Sequence, residues 1–472
     1  MRVAAIDQGT TSTRVLVTDG ESRRVAYAVE HRQLFPKQGW VEHDPEELIA
    51  NVEACIEAAG KVDALVIANQ GESCLAWDAA SKKPVSPVIV WQDQRTQPQI
   101  DALKARGAEA MMFDRAGLPL DPYFSASKLR WILDNVDEAR RLAEVGRLRL
   151  GTTDAFFLDR LSGVYATDVT TASRTSLMNL RTGEWDAELC ALFGVPMECL
   201  PPIRATVGAF GTVRTVHGDV PIRASVVDQQ ASLYGHGCRE PGDLKITFGT
   251  GAFALCVTGD QPVIAVEQGL LSTVAWQIDG QTRVYALDGG VYNAGSALNW
   301  AQSIGLFESF GEIETFEGPT AIERGLVFVP ALSGLACPYW DRRAAGLWLG
   351  LTLATSRLDL VRAILEGVAL RTAQVVTAMD TYARIGAEIS IDGGLSRNQY
   401  FRRFLASVLG KVVVAPCEPE LTALGAASLA MHESGGEIGA ERPPLCVEPQ
   451  TSHGEWLGLF TAAVERARNW PS

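Results

Sequence analysis

The chain has 472 residues, 47% of them hydrophobic, and a formal net charge of −14. That length exceeds one usual core and predicts two large domains, while the hydrophobic content excludes a disordered chain. The acidic balance argues against a nucleic-acid surface and suits a protein with small-molecule ligands. The nine cysteines are odd in number and form no C-x-x-C pair, so reduced thiols are expected and a zinc site or disulfide framework is not. No basic leader precedes the first apolar run, and no stretch approaches the roughly 20 apolar residues of a membrane span. A cytoplasmic protein with no membrane and no nucleic-acid partner is expected.

The chain opens as strand, turn, strand: Arg2–Ile6, a Gly-containing turn over Asp7–Ser12, then Thr13–Thr18. Pro45–Ala59 reads as a helix, with Glu46 and Glu47 where the helix dipole favours acids. An apolar run from Ala64 to Ala68 ends in Asn69-Gln70-Gly71. The pattern restarts near Asp243. Leu244–Phe248 is a strand ending in Gly249-Thr250-Gly251, and Ile389-Ser390-Ile391 leads into Asp392-Gly393-Gly394 and a helix over Asn398–Leu409. Glu455–Trp470 reads as an amphipathic helix. A repeated α/β plan with a glycine turn in each half predicts two similar lobes around a central cleft. The glycine-rich stretch Gly235–Gly242 divides them into 1–237 and 238–472.

Four segments carry the chemistry: Asp7-Gln8-Gly9-Thr10-Thr11-Ser12, Asp228-Gln229-Gln230, Gly249-Thr250-Gly251 and Asp392-Gly393-Gly394. Each sets small or hydroxyl residues beside an acid or amide at the end of an apolar run, where backbone N–H groups can approach phosphates. One such segment is an ordinary strand end. Four together point to ATP-dependent phosphoryl transfer onto a small hydroxylated substrate, which needs held phosphates, a metal and a base. Asp228 is the candidate base, although by position alone it could cap a helix starting at Gln229. Asp7 is the candidate Mg²⁺-side acid, or else an organiser of the Gln8–Gly9 turn. A P-loop is excluded, since no G-x-x-x-x-G-K-[ST] occurs.

Two longer segments add a resemblance. They are Tyr123-Phe124-Ser125-Ala126-Ser127-Lys128-Leu129-Arg130-Trp131-Ile132-Leu133-Asp134-Asn135, and Gly346-Leu347-Trp348-Leu349-Gly350-Leu351 continuing through Asp359-Leu360 to Glu366. Both are similar to signatures of the FGGY carbohydrate kinases. Gly39–Pro45, Ala172-Ser173-Arg174-Thr175 and Pro338-Tyr339-Trp340-Asp341 resemble the glycerol kinase branch. The resemblance covers nearly the whole chain. It implies two actin-like, ribonuclease H-like ATPase lobes that close over ATP, Mg²⁺ and a small polyol or sugar, in a homodimer or homotetramer. It assigns Glu72, Trp91, Tyr123, Asp228, Gln229 and Phe253 to the substrate. It assigns Thr10, Thr11, Ser12, Arg14, Thr250, Gly251, Gly295, Asn299, Gly394 and Asn398 to the nucleotide, and Asp7 to the metal. From the residues alone, Arg14 could be a solvent-facing strand arginine, and Trp91 and Phe253 could be core.

Two departures bear on function. Glycerol kinases carry Arg-Glu after the Asn-Gln pair, where this chain has Gly71-Glu72. The missing guanidinium opens an alternative substrate, a longer polyol or ketose of the erythritol, pentitol, ribulose or xylulose type filling a vacated volume; an arginine from elsewhere could instead replace it. The segment Val216–Pro221 is short and lacks the arginine pattern of the fructose 1,6-bisphosphate loop, so that inhibition is not expected. A non-catalytic actin-like switch or sugar-binding regulator is the remote alternative, opposed by the presence of both Asp7 and Asp228.

Overall fold

A computed structural model describes residues 1–432, 438, 442–450 and 454–468. The first half of the chain builds a six-stranded sheet. Its spatial order is Thr212–Thr215, Gly218–Val227, Ala64–Asn69, Val3–Gln8, Ser12–Thr18 and Arg23–Glu30. The last three form an antiparallel meander, and Ala64–Asn69 and Gly218–Val227 run parallel to Val3–Gln8. Ala64–Asn69 is buried at every residue, as a strand covered on both faces must be. Helix Pro45–Ala59 packs on this sheet through Leu48, Ile49, Val52 and Cys55. Asp44 starts it, its side chain accepting from Glu46 N at 2.9 Å, with proline at the first helical position.

The second half repeats the plan. Leu244–Phe248, Ala252–Gly259 and Val284–Val291 are the antiparallel part; Glu388–Gly393 and Val412–Ala415 are the parallel part. Leu271–Trp276 extends one edge and Leu445–Val447 the other. The two actin-like lobes are therefore present as one topology used twice, three antiparallel strands beside two parallel ones.

Three expectations shift. The first strand runs on through Asp7 and Gln8, so Asp7 sits in the sheet and not in the turn. Asn398 caps the helix Gln399–Leu409 and is not part of it. The last helix is Gly454–Ala467, and its expected end at Trp470 lies outside the described residues. A small antiparallel sheet of Glu42–His43, Val88–Ile89, Cys74–Asp78 and Leu148–Thr152 has no counterpart in the sequence reading. Strands of two to five residues give too little alternation to read.

All nine cysteines are free, seven of them buried, with Cys417 and Cys446 exposed. Among the described residues no helix is long and apolar enough to cross a membrane.

The halves meet at two helices, Asp228–Gly235 and Leu421–Met431. Their backbones touch. A Cβ on Gly425 would stand 1.8 Å from Ala231 O, and one on Gly235 would stand 2.0 Å from Leu421 O. Helix Leu421–Met431 comes from the second half yet packs on strands Val3–Gln8 and Ala64–Asn69 of the first sheet. We propose lobes 1–237 and 238–472 joined through this crossing.

The crossing gives a stability prediction. Gly425→Ala puts a methyl into backbone that cannot yield, so it should cost at least about 1–3 kcal/mol and lower Tm clearly. Gly394→Ala, whose Cβ meets nothing within 4 Å at a φ of −61°, should change stability by no more than about 0.5 kcal/mol. Thermal unfolding of the two variants checks this; equal Tm values would mean that the helices can separate freely.

Candidate active site

Three parallel strands of the first sheet end level with one another. Gln8 pairs with Asn69, and Asn69 with Val227. The residues that follow therefore share one edge: Asp7 and Gln8 on the first strand, Gln70 to Glu72 after the second, and Asp228 after the third. Carboxyl ends of parallel strands are where such sheets bind ligands. Asp228 is the first residue of its helix, with Val227 at the cap, and its Oδ1 accepts from Gln229 N at 2.7 Å.

A cavity of about 100 Å³ opens at this edge. Glu72, Trp91, Tyr123, Asp228, Gln229 and Phe253 all line it, with Thr10 from the first glycine turn. The six expected substrate residues are thus brought together, and Trp91 and Phe253 are cavity walls rather than core. Drug-sized ligands occupy roughly 300–1,000 Å³, so this space suits a ligand of few heavy atoms. The small antiparallel sheet supplies Trp91, just beyond its Val88–Ile89 strand. The indole donates from Nε1 to Thr10 Oγ1 at 3.0 Å and stands edge-on to Tyr123 with ring centroids 5.6 Å apart. A larger cavity of about 360 Å³ lies around His236, Ser390 and Leu421, but none of Asp7, Glu72 and Asp228 lines it.

Three residues here were not assigned from sequence. Arg174 donates from Nε to Glu72 Oε1 at 2.5 Å and pairs through Nη2 with Asp288 Oδ2 at 3.0 Å. Lys245 Nζ donates to Gln229 Oε1 at 2.6 Å and to Thr247 Oγ1 at 2.9 Å. With its carbonyl held by Lys245, the Gln229 amide keeps its NH₂ group as a donor. The signal was present: Asp288 and Lys245 are single charges inside apolar strands, and Arg174 lies within the Ala172–Thr175 segment. Gly71 also lines the cavity, and a Cβ there would stand 3.1 Å from Val227 Cγ1.

The acids hold protons unusually well. Burial pushes Asp228 up to about 7, with Asp7 and Glu72 adding to the shift and the Gln229 N–H and Lys245 opposing it. Burial also lifts Asp7 to about 6, opposed by Arg14 and reinforced by Glu420. Burial raises Glu72, with Arg174 acting against it. The nearest cation to Asp7 is loose, Arg14 Nε at 4.0 Å from Oδ2. A half-buried, poorly compensated carboxylate that raises a second one is the donor set that a divalent cation would satisfy, so Asp7 fits the metal side of a phosphate site.

The nucleotide-side residues fall into two groups. Thr10 and Thr11 form the turn between Val3–Gln8 and Ser12–Thr18, closed by Gly9 N to Ser12 O at 3.0 Å. The second turn is seated on the start of helix Gly295–Ser303, with Thr250 O accepting from Ala294 N and Ser296 N and Gly249 O from Gly295 N, all at 3.0 Å. Side chains are excluded there: a Cβ on Gly295 would lie 2.5 Å from Gly249 O, and one on Gly251 2.6 Å from Val291 O. Gly394 follows the neighbouring strand, in which Gly393 pairs with Phe248. Asn299 is exposed on its helix. Two side chains are otherwise engaged. Arg14 donates from Nη1 to both Glu420 oxygens at 3.1 and 3.0 Å and from Nη2 to Ser12 Oγ at 2.9 Å. Asn398 caps its helix through Phe401 N at 2.8 Å and donates to Ile313 O at 2.7 Å.

Comparison with known proteins converges on one family. Residues 2–235 match the N-terminal domain, and residues 244–434 the C-terminal domain, of the FGGY family of carbohydrate kinases. A glycerol kinase of Saccharopolyspora erythraea is 43% identical over 443 residues, covering 90% of this chain and 88% of that protein. One from Alkalilimnicola ehrlichii is 40% identical over 489 aligned residues, covering 99% and 98%. The crystal structure of Plasmodium falciparum glycerol kinase with ADP superposes with a TM-score of 0.91 at 29% identity, covering 99% of this chain and 98% of that one.

The raised Asp228 gives a pH prediction. Its folded pKa of about 7 lies above the ordinary aspartate value of 3.8, so the folded state binds the extra proton between these values and loses stability as pH rises through that window. Above about 7 the full cost is present. Asp228→Asn should therefore raise the Tm of the ligand-free, metal-free protein at pH 8 and leave it unchanged at pH 4. A Tm difference that is the same at both pH values would show that Asp228 is not a costly buried charge.

Proposed function

The chain belongs to the FGGY family of carbohydrate kinases, and we propose that its substrate is glycerol, with Asp228 as the general base. The family reaction is ATP-dependent phosphoryl transfer to an alcohol group. What carries the glycerol reading is the cavity of about 100 Å³ that gathers an acid, an amide, a near-neutral carboxylate and three aromatic faces. The relatives named glycerol kinase support it.

Glu72, with Arg174 beside it, and the Gln229 NH₂ group offer hydrogen bonds to hydroxyls. Trp91, Tyr123 and Phe253 cover the C–H face. Asp228 accepts the proton of the attacking hydroxyl as its oxygen bonds to the γ-phosphorus of ATP and the bond to the ADP oxygen breaks. A carboxylate with a pKa near 7 accepts that proton more readily than an exposed one would. The Thr10–Ser12 and Thr250–Gly251 turns offer hydroxyls and N–H groups to phosphates. Asp7 would hold Mg²⁺, directly or through water, and the ion would neutralise charge on the phosphate oxygens. Arg14 and Asn398 are read as shaping the two phosphate turns, Arg14 through Ser12 and Glu420, Asn398 by capping the helix after Gly394. A homodimeric or homotetrameric state and a cytoplasmic location belong to the proposal through kinship alone.

The longer-polyol alternative is not favoured, because the relatives that match over most of the chain at about 40% identity are named glycerol kinase. Coupled ADP release measured on glycerol, erythritol, pentitols, ribulose, xylulose and dihydroxyacetone should give the highest kcat/KM for glycerol. A four- or five-carbon preference would overturn the choice. Asp228→Asn should lower kcat by at least roughly 10²-fold with ATP affinity kept, the usual size of a general-base contribution. Near-normal turnover would remove Asp228 as the base.

A further inference from the structure

We propose that Arg174 donates a hydrogen bond from Nη1 to a substrate hydroxyl other than the one phosphorylated, which makes it a specificity residue of this site. The inference rests on the glycerol reading above.

Arg174 is 3% exposed and is the one cation among the residues lining the cavity of about 100 Å³. Two of its three nitrogens are engaged. Nε serves Glu72 and Nη2 serves Asp288, from opposite halves of the chain. The third, Nη1, is buried and has no hydrogen-bond partner among the described residues. Burial raises the Tyr123 hydroxyl well above its usual value, and the charge and a side-chain hydrogen bond of the neighbouring Arg174 oppose that rise, but the contact does not meet hydrogen-bond geometry at Nη1.

An unmade hydrogen bond on a buried, charged donor is costly, so such groups normally find a partner. Here the open donor belongs to a group clamped by two carboxylates. Burial works against the charge, and Glu72 and Asp288 more than restore it, so Arg174 remains a cation. A planar fork fixed on two sides presents its third position with little freedom left to lose. In a cavity that also holds the Asp228 base, the group that fits this position is a hydroxyl oxygen of the bound polyol.

The test compares glycerol with its two deoxy analogues, propane-1,2-diol and propane-1,3-diol, in wild type and Arg174→Lys. Lysine keeps the charge but cannot serve Glu72, Asp288 and a ligand in one plane. The ratio of kcat/KM for glycerol over the analogue that lacks the contacted hydroxyl should fall by roughly tenfold or more. The ratio for the other analogue, and KM for ATP, should hold. If Arg174 only neutralises its two carboxylates, the Arg174→Lys variant loses activity on all three substrates by one common factor and both ratios survive, which overturns the inference. Should Arg174→Lys not fold, a crystal structure of wild type with glycerol decides. Nη1 within about 3.2 Å of a glycerol oxygen supports the proposal, and Nη1 facing no ligand oxygen sinks it. Wild-type inactivity on glycerol would instead overturn the substrate reading, before any variant is made.

Discussion

Two helices cross with their backbones in contact at Gly235 and Gly425, and the site depends on that contact. The helix that starts at Asp228 carries the proposed base at its first turn and Gly235 at its last. The helix Leu421–Met431 follows Glu420, which holds Arg14 beside the first phosphate turn. A crossing at ordinary side-chain distance would move both helix starts outward. A spacing of roughly 8–10 Å is usual for helices that meet through side chains; here a single added methyl would collide with a carbonyl oxygen. The two glycines are therefore placed where close approach requires them. The same crossing lays a helix from the second half of the chain on the first sheet, so the lobes share a core.

A second constraint is charge. Asp7, Glu72 and Asp228 are brought to one sheet edge, and burial raises all three. Their cations are unevenly distributed. Arg174 is held by Glu72 and Asp288, Lys245 reaches Gln229 rather than an acid, and Arg14 is turned to Glu420. The site is thus short of positive charge around Asp7 and Asp228, and Asp7 adds to the rise at Asp228. This arrangement destabilises the empty protein and suits an incoming cation and a transferable proton. Electrostatic strain of this kind is a normal cost of a working site.

Much of this was legible in the sequence, for reasons that can be traced. The strands that carry Asp7 and Asn69, and the one that ends just before Asp228, close on apolar residues followed by polar ones, so their ends announced themselves. The glycine turns were visible as small residues closing apolar runs; at Gly251 and Gly393 close backbone also leaves no room for a side chain. The six substrate residues came from family resemblance, since nothing in the spacing of Glu72, Trp91, Tyr123 and Phe253 predicts that they meet. The small sheet that holds Trp91 was invisible, its strands being two to five residues long. Arg174, Asp288 and Lys245 were missed because pairing decides their role, and pairing is a property of the fold. Arg14 and Asn398 also serve the protein itself: Arg14 binds Glu420 and Ser12 while its Nε has no hydrogen-bond partner among the described residues, and Asn398 caps its helix.

Gly71 illustrates why a substitution should be read through its backbone as well as through the side chain it removes. Ser73 N donates to Gly71 O at 2.7 Å, closing a three-residue turn around Glu72, whose φ is +60°. A γ-turn with positive φ at a non-glycine centre is strained and needs outside support. Support is present on both sides: Ser125 Oγ donates to the Glu72 carbonyl at 2.9 Å, and Arg174 holds the Glu72 carboxylate. The strained turn is what aims Glu72 into the cavity and against Arg174. A glycine before it eases the close approach to Val227 that the turn imposes.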